Sequence, residues 1–327
     1  MPATTKRRRS SRSKSFCKNL LDWFDQSKRD LPWRKDRDPY RVWISEVMLQ
    51  QTRVAAVIDH YHRFLRRFPT IEKLAAARES SVLAAWSGLG YYRRARMLHA
   101  AAKQVVKGNE GRFPNSAAEF FQLPGIGRYT AAAIASIAFN EPVAVVDGNV
   151  ERVLARITGK RLSTKKCWEI ADLLLSHERP GDFNQAMMEL GATICLPRDP
   201  KCLLCPISTL CSTRGELKTP GDGSRQTKKA IRYAFGCRNG KVFLVQRPRT
   251  SSLMPGMWEL PELSSGQDVT DAWLTVRHSI TVTDYTVYVM KATAPEGSAG
   301  RWFSKTRLKT LPLTGLTRKI LRAAQVI

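Results

Sequence analysis

The spacing of the hydrophobic residues changes once along the chain, and the change separates a helical part from a part with strands. Up to about residue 211 apolar residues recur at helical spacing, as Phe16, Leu20 and Phe24 do. This spacing predicts that the first part is almost entirely helical. The predicted helices are 15–28, 42–68, 71–77, 80–86, 93–106, 129–139, 149–162, 165–175 and 183–195, and 117–122 leads into the glycine turn.

A polar segment rich in Gly and Pro, 212–229, predicts a linker, and beyond it the apolar period becomes two. The tripeptide Arg238-Asn239-Gly240 between two such runs is typical of a β-hairpin. Residues 230–327 are therefore predicted to form a small α+β domain. Its predicted elements are strands 231–237, 241–246 and 279–290 and a helix over 316–324.

The charge of the chain is strongly positive, with 54 Lys and Arg against 28 Asp and Glu and a net charge of +26. Such an excess favours a polyanionic partner, nucleic acid before an acidic membrane surface. No apolar run reaches the roughly 18 residues that a membrane span needs. Residues 1–14 carry six basic residues and no acid, and predict a disordered tail. Because no secretory apolar segment precedes residue 20, we expect an intracellular protein, in the cytoplasm and nucleoid if bacterial. We also expect it to be a monomer.

Four of the seven cysteines form the pattern C-x6-C-x2-C-x5-C between residues 195 and 211. Four thiolates in a short loop can hold one zinc ion or an iron–sulfur cluster. Zinc ribbons usually pair two C-x2-C knuckles, whereas this loop has one, which favours a [4Fe–4S] cluster. The candidate ligands are Cys195, Cys202, Cys205 and Cys211. Arg198 and Lys201 in the same loop are suited to contact phosphates.

The stretch 123–156 combines a glycine turn with an acidic residue. Gly125 and Gly127 precede a helix of small residues, and the free N–H groups of a helix N-terminus suit a phosphate. Asp147 follows an apolar run, so either helix capping or chemistry accounts for it. Glu46 lies within the apolar run WISEVML. It is either an exposed helix residue or a buried carboxyl whose raised pKa lets it donate a proton.

Several motifs occur together in a fixed order: LPWR, WISEVMLQQTRV, GLGYYRRAR, LPGIGRYTAAAI, VDGNVERVLAR, NQAMMELG and the cysteine loop. Over about 18–215 the chain thereby resembles the MutY family of adenine-specific DNA glycosylases. That family belongs to the helix-hairpin-helix superfamily, which also contains endonuclease III. The segment LMPGMWELP resembles the Nudix-like C-terminal domain of the family. No Arg-Glu-x-x-Glu-Glu helix accompanies it, so pyrophosphate hydrolysis is not expected.

The resemblance implies a fold of two parts. A mainly α catalytic region, 15–211, contains a helix-hairpin-helix at about 121–139 and the cluster loop at 195–211. A Nudix-like α+β domain, 230–327, follows the linker.

The resemblance also implies excision of adenine paired with 8-oxoguanine or guanine, after the base is flipped out of the duplex. Glu46 matches the general acid that protonates adenine N7. Asp147 matches the carboxylate that stabilises the cationic sugar, while Tyr129 and Asn149 match residues that orient the site. The positions that match DNA contacts are Arg34, Gln51, Leu89, Tyr91, Gly125, Gly127, Arg198 and Lys201.

The segment that reads the partner base departs from the family. Many bacterial members carry His-x-Phe-Ser-His there, whereas residues 278–283 of this chain read HSITVT. Ile280 stands at the Phe position and Thr281 at the Ser position, so these two residues are the candidates for lesion recognition. Val282 replaces the second His and has no polar group to donate.

Two other functions fit parts of the pattern. An endonuclease III-like glycosylase and lyase would act on damaged pyrimidines, but that family carries Lys where this chain has Tyr129. A non-enzymatic iron–sulfur DNA-binding protein would not need both Glu46 and Asp147. Adenine excision without strand cleavage is therefore the favoured interpretation.

Overall fold

The computed structural model of the chain describes residues 3–108, 112–217, 227–251, 254–263, 272–280, 283–292 and 297–327. The chain forms two compact units. Unit 1 consists of residues 1–51 and 104–220, and unit 2 of residues 52–103 and 221–327. The limits 15–211 and 230–327 that the sequence suggests for the domains stay a prediction.

Helices dominate the first two thirds of the chain, as the periodicity predicts. They are α1 (Ala3–Ser27), α2 (Pro39–Leu49), α3 (Val54–Arg67), α4 (Ile71–Ala75), α5 (Glu79–Trp86), α6 (Arg93–Gly108), α7 (Ala117–Phe121), α8 (Arg128–Phe139), α9 (Gly148–Thr158), α10 (Thr164–Leu174) and α11 (Pro180–Thr193). The C-terminal third contains α12 (Lys305–Leu308) and α13 (Gly315–Ala323). None of the helices in the described ranges has the length and apolarity that crossing a bilayer requires.

The single helix predicted over 42–68 is wrong, because the structure breaks it into α2 and α3. At Gln50 the backbone leaves the helical region, and Gln51 adopts a left-handed φ of 54°. The side chain of Gln50 donates from Nε2 to Oγ1 of Thr130, 3.1 Å away on α8. This tertiary hydrogen bond accompanies a break that the apolar spacing does not signal.

Helix α1 is described from Ala3 onwards, and the disordered tail that the sequence predicts over 1–14 stays a prediction. Residues 4–14 contain no Pro or Gly, and Lys and Arg favour helices. Once the packed part around Phe16 and Leu20 is helical, each added residue extends the helix by one hydrogen bond without a new nucleation cost.

The strands of unit 2 form two sheets. One sheet has the order β1 (Thr227–Ala234), β6 (Thr283–Met290), β5 (Leu274–Ile280). The other contains β2 (Cys237–Arg238), β3 (Lys241–Gln246) and β4 (Trp258–Glu259), with β7 (Gly300–Ser304) also paired to β3. The hairpin turn at Asn239-Gly240 is confirmed, with φ of 51° and 70°. However, the strand predicted over 231–237 is divided, and β1 pairs in parallel with β6.

Unit 1 is organised around α11, which packs against α1, α8 and α9. Two glycines of α11 permit the close approach. A Cβ at Gly181 would lie 2.5 Å from the carbonyl oxygen of Ser136 on α8, and one at Gly191 would lie 2.6 Å from Cβ of Asn149 on α9. Neither Cβ would fit without moving a neighbouring helix.

Substituting Gly181 tests this packing. We expect Gly181→Ala to lower the free energy of unfolding by about 1–3 kcal/mol, because the added methyl meets backbone atoms of α8 that cannot rotate away. Gly108→Ala is the matched control, since a Cβ there meets no atom within 4 Å. Equilibrium urea titration of both variants makes the measurement, and equal stabilities would contradict the argument.

Candidate active site

Glu46 lies in the middle of α2 and is buried, with 5% of its surface exposed. Helix α2 begins at Pro39, and the carboxylate of Asp38 caps it by accepting from the backbone N–H of Arg41 at 2.9 Å. Burial raises the pKa of Glu46 to about 7, and the nearby charge of Asp147 acts in the same direction. The hydrogen bond from Tyr129 and the charge of Arg34 oppose the shift. Of the two interpretations left open by the sequence, the buried carboxyl is the correct one.

Tyr129 lies in the first turn of α8 and points its hydroxyl at this carboxyl. The hydroxyl donates to Oε2 of Glu46 over 2.8 Å and also lies 3.3 Å from the Met188 sulfur on α11. Burial raises the pKa of Tyr129 well above its usual value, and the charges of Glu46 and Asp147 add to the effect. Tyr129 therefore stays a neutral hydrogen-bond donor.

Asp147 precedes α9 and caps it, since Oδ1 accepts from the backbone N–H of Val150 at 2.8 Å. Its second oxygen, Oδ2, accepts from Nδ2 of Asn149 at 2.9 Å. The capping role considered from the sequence is thus confirmed. The charge of the same carboxylate also raises the pKa of Glu46, so the two acidic groups belong to one site. Capping and a role in chemistry are compatible.

Hydrogen bonds from α11 fix the segment that leads to Asp147. Asn184 is buried, its Oδ1 accepts from the backbone N–H of Val145 at 3.0 Å, and its Nδ2 donates to the carbonyl of Val143 at 2.8 Å. Nδ2 also donates to Oγ of Ser136 on α8. Asn184, the first residue of the motif NQAMMELG, therefore holds α8 and the 143–147 segment in place.

A second buried carboxyl, Glu189 on α11, was not singled out from the sequence. Oε1 accepts from Nε of Arg29 at 2.6 Å, and Oε2 accepts from the guanidinium of Arg34 at 2.9 Å. These cations hold the pKa of Glu189 at about 2 despite its burial. The signal that could have found it is the one that identified Glu46, an acid within an apolar helical run.

The four candidate ligand cysteines line one pocket in unit 1. Arg156 of α9 supports this loop, donating to the carbonyls of Leu196 at 2.6 Å and Pro197 at 2.9 Å. Burial raises the pKa of the Cys205 thiol to about 11. Within the described ranges, no three His, Cys, Asp or Glu side chains are arranged to hold a single metal ion.

Arg152 connects the cysteine loop to the catalytic segment. Its guanidinium donates to Oδ1 of Asn149 at 2.8 Å, to the carbonyl of Gly191 at 2.7 Å and to the carbonyl of Cys195 at 2.8 Å. Asn149 in turn binds Asp147. A continuous set of hydrogen bonds thus runs from Cys195, a candidate ligand, to Asp147, a candidate catalytic carboxylate.

The residues matched to DNA contacts occupy different environments. Most are exposed: Gln51, Tyr91, Gly125, Gly127, Arg198 and Lys201. Gly125 has a φ of 76° in the turn between α7 and α8, which form the predicted hairpin. Leu89 is buried in unit 2, and Arg34 is largely buried beside Glu189. Their contacts with DNA stay predictions.

The lesion-recognition residues are described only in part. The backbone of Ile280 ends β5 opposite Thr283 of β6. Thr281 lies outside the described residues, so its role stays a prediction.

Residues 44–171 match a family model described as HhH-GPD superfamily base excision DNA repair protein. A solved thermostable thymine-DNA glycosylase is 34% identical, with a TM-score of 0.59, over 63% of this chain and 97% of that one. A trapped endonuclease III–DNA covalent intermediate gives a TM-score of 0.54 at 24% identity, over 61% of this chain and 93% of that one. These two structures share the helical fold with this chain.

Curated relatives extend the similarity over most of the chain. An adenine DNA glycosylase of Rattus norvegicus is 51% identical, covering 77% of this chain and 62% of that protein. One of Arabidopsis thaliana is 44% identical, covering 80% and 49%. This chain therefore spans about half to two thirds of the length of such relatives. One of Schizosaccharomyces pombe (strain 972 / ATCC 24843) is 31% identical, covering 77% of this chain and 70% of that protein. This chain belongs to the adenine DNA glycosylase family.

Proposed function

We propose that the chain excises adenine from DNA where it is paired with 8-oxoguanine or guanine, by acid-catalysed cleavage of the N-glycosidic bond. One observation carries the proposal: a buried carboxyl with a pKa of about 7, Glu46, is hydrogen-bonded to a neutral phenol and lies near a second carboxylate, Asp147. Glycoside hydrolysis usually pairs a carboxyl that donates a proton with a carboxylate that stays charged.

The mechanism follows from these states. The adenine is flipped out of the stack, because its glycosidic bond is not accessible within a duplex. Protonated Glu46 donates its proton to N7, which turns the base into a better leaving group. As the bond to the sugar breaks, positive charge develops on C1′ and the ring oxygen, and the Asp147 carboxylate stabilises it. Water then adds to C1′ and gives up a proton, which the Glu46 carboxylate takes back, and an abasic site remains.

Tyr129 supports adenine excision without strand cleavage. A lyase of the endonuclease III type uses an amine to form a Schiff base with the sugar, and a phenol cannot do so. Tyr129 is held to Glu46 at 2.8 Å and stays neutral. Its role in this proposal is to orient the acid.

The DNA-binding surface of the proposal combines phosphate contacts with stacking. The backbone N–H groups at Gly125 and Gly127 bind a phosphate at the N-terminus of α8. Arg198 and Lys201 bind the backbone from the cysteine loop, and Gln51 and Tyr91 enter the space left by the flipped base. Exposure of these residues and the net charge of +26 support the assignment. We assign Arg34 to the support of Glu189 and Glu46 as well as to the DNA contact.

The cysteine loop fits a [4Fe–4S] cluster. The four cysteines line a shared pocket, and their single C-x2-C pair differs from the paired knuckles of zinc ribbons. The donor set is Cys195, Cys202, Cys205 and Cys211. Bound there, the cluster cross-links the end of α11 to the loop that follows it.

Recognition of 8-oxoguanine belongs to the Nudix-like C-terminal region in this proposal. Ile280 packs against the partner base, and Thr281 hydrogen-bonds its N7–H or O8. The two-sheet α+β architecture of unit 2 is compatible with this assignment.

Removing either carboxyl tests the chemistry. We expect Glu46→Gln and Asp147→Asn each to slow adenine release by at least roughly 10³-fold in single turnover, with little change in duplex binding. Duplexes with adenine opposite 8-oxoguanine and opposite guanine, treated with and without alkali, make the measurement. Glu151→Gln is the matched control, since Glu151 is an exposed carboxyl in the first turn of α9. Near wild-type release by either active-site variant would overturn the mechanism.

The pH dependence of release should report Glu46. Excision needs the protonated acid, so the rate should fall as pH rises through about 7. The Tyr129 hydroxyl stabilises the carboxylate and lowers the pKa of Glu46. Tyr129→Phe should therefore raise that pKa and move the midpoint of the rate profile to higher pH. A midpoint that stays in place or moves to lower pH would contradict this coupling.

Metal analysis tests the cysteine loop. Purified protein should be brown, absorb broadly near about 400 nm and contain about four irons per chain. Cys205→Ser should lose the iron, whereas Cys237→Ser should keep it, because Cys237 is exposed in unit 2. Colourless, active protein with one zinc per chain would overturn the assignment of a [4Fe–4S] cluster.

A further inference from the structure

A short loop in unit 2, Gly88–Tyr91, holds an unusual backbone. Gly88, Gly90 and Tyr91 have φ of 111°, 71° and 47°. The left-handed backbone conformation is unfavourable for a residue such as Tyr. A residue keeps this conformation only where surrounding contacts enforce it. A Cβ at Gly88 would lie 2.9 Å from the His60 ring, and the φ of 111° disfavours any residue other than glycine there.

The loop presents one aromatic ring to solvent. Tyr91 is 45% exposed, whereas its neighbours Leu89 and Tyr92 are buried. The guanidinium of Arg94 lies 5.4 Å from the centre of the Tyr91 ring. Arg94 also donates to the carbonyls of Leu89 and Gly90. An exposed aromatic ring carried by a loop that hydrogen bonds hold in place is suited to stack on a nucleobase.

Contacts from the C-terminal region hold both ends of this loop. At one end, Oγ of the buried Ser87 accepts from Nε of Arg318 at 2.8 Å and donates to the carbonyl of Leu313 at 3.1 Å. At the other end, the Tyr92 hydroxyl donates to the same Leu313 carbonyl at 2.9 Å. The His60 ring lies 3.2 Å from the carbonyl of Ser87 and completes the contacts.

We propose that Arg318 and the Leu313 carbonyl are positioning groups for Tyr91: they fix the Ser87–Tyr92 loop so that its ring can enter the duplex. This inference rests on the proposed function, since it takes Tyr91 as a residue that stacks in DNA. It adds that the α+β region controls base flipping through this loop, in addition to any contact with the partner base.

A double-mutant cycle separates positioning from general stability. We expect Arg318→Met to slow single-turnover adenine release by roughly 10- to 100-fold, the loss that one hydrogen bond from a charged group implies. In a Tyr91→Ala background the same substitution should change the rate by less than about 2-fold, because the ring to be positioned is gone. Arg322→Met is the matched control, since Arg322 is exposed on the same helix, α13.

Further variants and a spectroscopic readout guard the test. Arg318→Lys keeps one donor for Ser87 and should restore part of the rate. If Arg318→Met does not fold, Ser87→Ala replaces it in the cycle, because it removes the shared hydroxyl. Fluorescence of 2-aminopurine next to an uncleavable target adenine reports base unstacking without catalysis. With Arg318→Met this fluorescence should be lower than with wild type, as the rate of adenine release is.

The outcomes distinguish this inference from the proposed function. If the wild-type chain releases no adenine, the proposed function fails, and the cycle is then evaluated on 2-aminopurine fluorescence alone. The inference is overturned if Arg318→Met slows release equally with and without Tyr91. It is also overturned if Arg318→Met and Arg322→Met behave alike, or if unstacking is unchanged.

Discussion

The structure of the site depends on one costly arrangement, a carboxyl placed in apolar surroundings at Glu46. Burial disfavours its charged form, and the opposing effects of Tyr129 and Arg34 keep the pKa at about 7. Glu189 is equally buried, but two guanidinium groups hold its pKa at about 2. The two acids differ because cations bind one of them directly. As a result, one carboxyl keeps its proton near neutrality, while the other stays charged and fixes Arg34 beside it.

Helix α11 connects these groups, although it contributes neither predicted catalytic carboxyl. It supplies Glu189 to the cations, the Met188 sulfur to the Tyr129 hydroxyl, and Asn184 to the backbone before Asp147. Its two glycines let α8 and α9 approach closely enough for these contacts. Since each of the three helices carries part of the site, displacement of α11 would change the surroundings of both carboxyls together.

The sequence predicted those features that local pattern determines. Helix positions, the Asn239-Gly240 turn and the grouping of the four cysteines follow from spacing and residue type. Features that depend on residues far away in the sequence could not be predicted from local spacing and residue type. The break at Gln50 accompanies a bond to Thr130, and the parallel pairing of β1 with β6 joins segments more than fifty residues apart. The burial of Glu46 was likewise undecided, because periodicity does not show which face of a helix meets a neighbour.

Asp147 shows why a capping residue is well suited to stabilise a transient cation. Both of its oxygens accept hydrogen bonds within the first turn of α9, one from Val150 and one from Asn149. Asn149 is itself held by Arg152, whose guanidinium is fixed by carbonyls of α11 and the cysteine loop. The carboxylate therefore has no freedom to rotate away when positive charge develops on a sugar. Charge that is already oriented stabilises a transition state without the cost of reorganisation. Helix capping and electrostatic stabilisation thus require the same rigid geometry, and in the proposed mechanism Asp147 supplies both.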